Sequence, residues 1–274
     1  MQLAGSKDGG WLYTARHPGA KMEIPVEEAQ VSKSTEMLIL REMLEAVIED
    51  AEKGNDCYPI VGFASVKGSK WSRNLMAVGR FVNGWDDKWT WEDLRGPAQQ
   101  DQFLEKILNL ESLEVLRHTD PGLAMSFRRG AFWLTVRDVM KSELFKLGDD
   151  WDSKIVYSNL YRFGPNGGNP TAQLRSVQDQ KCRELLAHEI KSFAPRRILL
   201  LTGWKDWAKW FLGTKEIPFL DKGPHGVNVE RVGTISLVSP SAHVVVSVHP
   251  ARKQRSPIVD DISDAFADLE RREP

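Results

Sequence analysis

Hydrophobic positions along this chain follow two periods, one helical and one strand-like. From Met37 onward Leu38, Leu40, Met43, Leu44, Val47 and Ile48 recur at helical spacing and stop near Gly54, which predicts an amphipathic helix with Ser34 as its N-cap. Residues 1–33 have little periodicity and read as an extended lead-in. Short apolar runs at 58–63, 75–78 and 155–157 predict strands, and helical patterns are expected over 102–116 and 127–145. A Gly/Pro-rich loop at 164–170 precedes a helix over 177–193, with Pro195 as its stop, and the strand 198–201 turns at Thr202-Gly203 into a tryptophan-rich helix near Trp204. Strands at 232–238 and 243–248 and a closing helix at 258–272 complete the pattern. Strands separated by helices need crossover connections, so the expected fold is α/β: a three-layer α/β/α sandwich with a mostly parallel central sheet of at least four strands. It occupies 34–274, after an N-terminal extension at 1–33.

Composition narrows the class. The chain has 274 residues, of which 41% are hydrophobic, enough for one large core. It has no apolar run of spanning length, and its first residues do not pair a basic stretch with an apolar one, so a cytoplasmic protein with no membrane partner is expected. Cys57 and Cys182 are far apart and lack paired CxxC spacing, which excludes a four-cysteine zinc or iron–sulfur site within the chain, and both are expected to be small buried residues. With a net charge of -1, any nucleic-acid partner must be met by a local patch. Seven of the ten tryptophans cluster at 71–91 and 204–210, and most are expected in the core, with one or two left to line a base pocket.

Three predicted strand ends finish on polar residues: Gly79 to Asn83, Ser158-Asn159 and His249-Pro250. Parallel strands would gather them on one edge, where ligands of open sheets bind. Arg252, Lys253 and Arg255 follow His249 directly, whereas Arg196 and Arg197 precede their strand and belong to the opposite edge. A histidine at a strand end serves either as a loop anchor or as a catalytic group, and residue type alone leaves both open.

These segments, in this order, resemble the uracil-DNA glycosylase superfamily, and within it a bacterial uracil-DNA glycosylase-like branch. The resemblance covers about 58–255. GRFVNGW at 79–85 is similar to that branch's GQETNGW motif, FWLTVRD at 132–138 to FWRFVRE, and IVYSNLYR at 155–162 to VVWTNLYK. The stretch 186–190, Pro195 and Thr202-Gly203 also match the branch, and His249-Pro250 is similar to the superfamily's final histidine motif. The resemblance implies hydrolysis of the bond between deoxyribose and a flipped-out base by a monofunctional glycosylase that needs no metal or other cofactor and acts on DNA as a monomer, leaving an abasic site. It implies His249 as donor to the leaving base and Asn159 as reader of the base edge, with Phe81, Trp85 or Trp133 stacking on the base. Arg80, Arg252, Lys253 and Arg255 would contact DNA.

One position departs from the pattern. The superfamily usually places a polar residue two positions after the first glycine to orient water, and Phe81 stands there; Asn83, Asp86 and Asp87 are the nearby replacements. The departure widens the expected substrate from uracil to a damaged or phage-modified pyrimidine, such as a modified cytosine, in base-excision repair or in antiviral defence. Two other classes are a catalytically silent nucleic-acid-binding protein of the same fold and a nucleotide-binding protein that uses the glycines near Gly167, although no phosphate-loop spacing is present.

Overall fold

The computed structural model describes residues 26–54, 60–81, 89–165 and 168–272. The first helix, α1 (Val26–Gly54), precedes three short strands, β1 (Ile60–Gly62), β2 (Val66–Lys67) and β3 (Leu75–Gly79). Four helices follow: α2 (Pro97–Leu108), α3 (Leu113–Thr119), α4 (Pro121–Arg129) and α5 (Ala131–Lys141). Next come β4 (Ile155–Asn159), β5 (Phe163–Pro165), α6 (Ala172–Phe193) and β6 (Arg197–Leu200). The chain closes with β7 (Phe219–Asp221), β8 (Val229–Ile235), β9 (Ala242–Ser247) and α7 (Arg255–Arg271).

The protein is a mixed α/β structure around a seven-stranded sheet of order β2-β4-β3-β6-β9-β8-β7. The four central strands, β4-β3-β6-β9, run parallel. The flanking strands β2, β8 and β7 pair antiparallel, so the expectation of a mostly parallel sheet is corrected to a parallel centre with antiparallel edges. The reason is visible in the chain: only residues 236–241 separate β8 from β9, too few for a crossover.

Three other expectations change. The first helix begins at Val26, so Ser34 lies inside it instead of capping it. The two helices expected over 102–145 are four, with breaks at Ser112, Asp120 and Gly130. The tryptophan-rich segment after β6 forms turns and one 3₁₀ turn at Ala208–Trp210 in place of a helix.

Alternation along the central strands sends side chains to two cores. Met76, Val78, Ile198, Leu200, Val244 and Val246 pack with α1, α2 and α6. Leu75, Ala77, Leu199 and Val245 pack with α3, α5 and α7. Burial on both faces explains why these strands read as unbroken apolar runs. Among the described residues no helix is long and apolar enough to cross a membrane.

A charged group sits inside the first core. Arg162 is 0% exposed and its Nη2 lies 2.7 Å from Glu189 Oε2, on a side chain that is itself 1% exposed. Ser158 donates its hydroxyl to the same oxygen at 2.7 Å, which ties the end of β4 to α6. Nearby on α1, burial and the Glu189 charge push the Glu36 carboxyl up to about 7.

Removing one member of a buried pair strands the other charge. Glu189→Ala is therefore expected to lose about 3–5 kcal/mol of stability. The double variant Arg162→Met/Glu189→Leu should recover most of that loss. Equilibrium denaturation of the three proteins checks this, and a small effect of Glu189→Ala would show that the pair does not anchor β4.

Candidate active site

All four central strands end on the same edge, and the chain reverses its direction of travel across the sheet there. From β3 it moves outward to β4, and from β6 it moves the other way to β9. In open α/β sheets ligands bind beyond the strand ends at such a switch point, in the place called the crevice below. The pairing continues past the formal strand ends: Leu160 N donates to Gly79 O at 2.9 Å, Tyr161 N to Arg80 O at 3.1 Å and Gly203 N to Ser247 O at 2.9 Å. The residues leaving β4, β3, β6 and β9 therefore form one floor. Asn159 stands at its β4 side and His249 just beyond its β9 side, three strand spacings apart, or about 14 Å at about 4.8 Å each.

Asn159 is 0% exposed. Its Oδ1 accepts from the Tyr157 hydroxyl at 3.0 Å, while its Nδ2 is buried with no hydrogen-bond partner. Gly79, its register partner on β3, makes room for it, since a Cβ at Gly79 would stand 2.4 Å from Asn159 Oδ1. Burying an unpaired amide donor carries a penalty of about 1–3 kcal/mol, so this group is held ready at a cost.

His249 is half-buried, and its Nδ1 accepts from the Ala251 backbone N–H at 3.3 Å. Burial, reinforced by the nearby Arg80 charge, depresses its pKa to about 4. The ring is thus neutral near pH 7. With Nδ1 occupied as an acceptor, the proton resides on Nε2, which is the donor the ring offers.

Arg80 leaves the end of β3 toward the residues that follow β6, and its charge reaches His249. Its Nε donates to Thr202 O at 2.7 Å, and its guanidinium lies 5.0 Å from the Trp207 ring centroid. Asp206 and Glu230 lie within electrostatic reach of it, and burial is the main cause of its lowered pKa. Beyond His249, Arg252 adopts a left-handed backbone (φ 61) in a tight turn that leaves Arg252 and Lys253 exposed. Arg255 stands apart from these two, because its Nε is paired with Asp138 at 2.5 Å.

The remaining expected site residues divide in two. Phe81 is 6% exposed and belongs to the core of α1, α2 and α6, where its ring packs on Gly164. Asn83, Trp85, Asp86 and Asp87 lie outside the described residues. Aromatic rings do stand on the Asn159 side: Trp133 and Phe132 lie 4.5 and 5.4 Å from Tyr157. Trp133 is stacked on Phe127 at 4.0 Å inside the core, whereas Phe132 is only half-buried.

Tyr157, Phe132 and Glu230 are site neighbours that the sequence reading did not single out. Tyr157 was legible in one respect, because two residues before Asn159 on a strand it must share the same face. Glu230 carried no such signal; it arrives from the antiparallel strand β8, where its carboxylate accepts from Trp204 N. Neither the family models nor the curated proteins compared with this sequence give a match.

Proposed function

We propose that this protein is a monofunctional DNA glycosylase of the uracil-DNA glycosylase type, which hydrolyses the N-glycosidic bond of a flipped-out pyrimidine. The observation that carries this reading is the buried, unpartnered Asn159 amide, held across a switch-point crevice from a neutral histidine. The same reading takes the helices on both sheet faces as the three-layer α/β/α sandwich of that superfamily.

The chemistry follows from the groups available. Asn159 Nδ2 donates to an acceptor on the edge of the base, and its Oδ1 is held by Tyr157 so that the amide cannot turn. Phe132 supplies the stacking face. As the bond from sugar to base breaks, the electron pair leaves with the base and positive charge grows on the sugar. His249 Nε2–H hydrogen-bonds the base carbonyl where negative charge accumulates. Water then adds to the sugar carbon and releases its proton to solvent. Phe81 is committed to the core, so Asn83, Asp86 and Asp87 are the proposed groups that orient this water.

A base lacking an acceptor opposite Nδ2 would leave that donor unpaired, which sets the selectivity of the site. The acceptor pattern fits uracil and also pyrimidines altered elsewhere on the ring. DNA repair and antiviral defence are both settings for such an enzyme.

Two predictions test the reading. His249→Ala should slow single-turnover cleavage by about a hundredfold to a thousandfold, the cost of losing one donor to developing charge. Because the folded ring titrates at about 4 and not at its ordinary 6.5, parental cleavage should show no histidine limb between pH 5 and 8 and should fall only toward pH 4. In the window from 6.5 down to 4 the unfolded chain binds the extra proton, so the parent should lose stability as pH falls and His249→Ala should lose less. A cleavage limb near pH 6.5 that vanishes in His249→Ala would overturn the neutral-donor assignment.

The second prediction separates reading from folding. Gly79→Ala should push the Asn159 amide from its place and, like Asn159→Ala, abolish most cleavage while DNA binding persists. Mass spectrometry of bases released from DNAs of differing modification is the assay. Release of the same bases at parental rates by Asn159→Ala would remove the basis of the proposal.

A further inference from the structure

The segment between β6 and β7 carries a feature that base excision does not use. After Leu200 the chain turns at Gly203 (φ 81) and packs Trp207 beneath two guanidinium groups, Arg80 at 5.0 Å and Arg175 at 4.8 Å from the ring centroid. Tyr161 meets Trp207 edge-on at 5.8 Å and donates its hydroxyl to Asp179 at 2.6 Å. Trp207 thus acts as a post that fixes one cation from just after β3 and another from α6. Arg175 Nε is enclosed without a hydrogen-bond partner.

These residues border an open groove of about 400 Å³, lined by Tyr161, Arg175, Asp179, Lys205, Lys209 and Trp210. Trp210 is 52% exposed, and Lys209 Nζ lies 4.6 Å from its ring centroid. An indole left half in water gives up hydrophobic stabilisation, and beside a row of cations it has the make-up of a base-stacking platform. The lining holds three cations, Arg175, Lys205 and Lys209, against two carboxylates, Asp179 and Asp206, so the groove keeps a net positive charge on a chain of net charge -1. Arg80 connects this groove to the crevice, since the same side chain touches Thr202 O and Trp207.

We infer that this groove binds unpaired DNA, with a base stacked on Trp210 and phosphates on Arg175, Lys205 and Lys209, and so holds the strand that leads into the crevice. The inference rests on the proposed glycosylase reading for its biological sense and names its substrate as single-stranded or melted DNA. A paired duplex keeps its bases stacked on one another and has none to offer Trp210, which is why the ring favours an unpaired strand.

The test uses the full chain and 5′-fluorescein-labelled fifteen-residue oligodeoxyadenylate, which contains no pyrimidine to excise, with a duplex of the same length and free deoxyadenosine monophosphate as comparisons. Fluorescence anisotropy at several salt concentrations is expected to show tighter binding to the single strand. Trp210→Ala should weaken that binding about tenfold with an unchanged salt slope, the loss of one stacked base. Lys205→Ala/Lys209→Ala should lower the slope of log affinity against log salt by about 1.4, or about 0.7 per lost contact. Equal affinity for the duplex, monophosphate competing at the affinity of the oligomer, or parental binding by both variants would each overturn the inference. Because the probe carries no excisable base, loss of the glycosylase reading leaves this result standing. Conversely, intact cleavage with no single-strand binding sinks the groove alone.

Discussion

The buried Arg162–Glu189 pair is the interaction on which the candidate site depends. Ion pairs away from water gain little net stability, because desolvation of both charges offsets most of their attraction. What this one does is geometric. Ser158 joins it from one face of β4, and Asn159, the next residue, must therefore face the other way. The anchored hydroxyl and the unpartnered amide are consecutive residues, so any slip in the register of β4 would bring the wrong one to the crevice. Fixing Arg162 against α6 removes that freedom at the place where the strand becomes a loop.

Much of the arrangement was legible in the sequence because the central strands are buried on both sides. Unbroken apolar runs located β3, β4, β6 and β9, and parallel packing then put Asn159, Gly79 and His249 on one edge without knowledge of any contact. The antiparallel edge strands were less legible, although the six residues between β8 and β9 already ruled out a crossover. The first helix begins earlier than expected because residues 26–33 lack an apolar stripe, and periodicity detects only helices that bury one. In the tryptophan segment the opposite error occurred: an apolar run looked helical, but Gly203 and Gly213, both at positive φ, let the chain turn instead.

Side-chain roles were harder to read than positions. Phe81 sits where a polar group was expected and turns into the core, a direction set by Gly164 on a distant strand. Arg255 belongs to a basic run, yet its partner Asp138 lies 117 residues away. Charge counted along the chain could not show that one of the three basic residues after His249 is already paired. The same holds for Arg80 and Arg175, whose common stacking on Trp207 joins elements far apart in sequence.

The hydrogen bond from Ala251 to His249 Nδ1 has a consequence for the kind of base that can leave. A histidine poised to deliver a proton would serve many leaving groups, since protonation makes even a poor one depart. On the proposed reading this imidazole only shares its hydrogen, and the base must go as an anion. Reactivity would then rank substrates by the acidity of the free base at its glycosidic nitrogen. Electron-withdrawing substituents on the ring would speed release and electron-donating ones would slow it, independently of how well each ring fits the crevice.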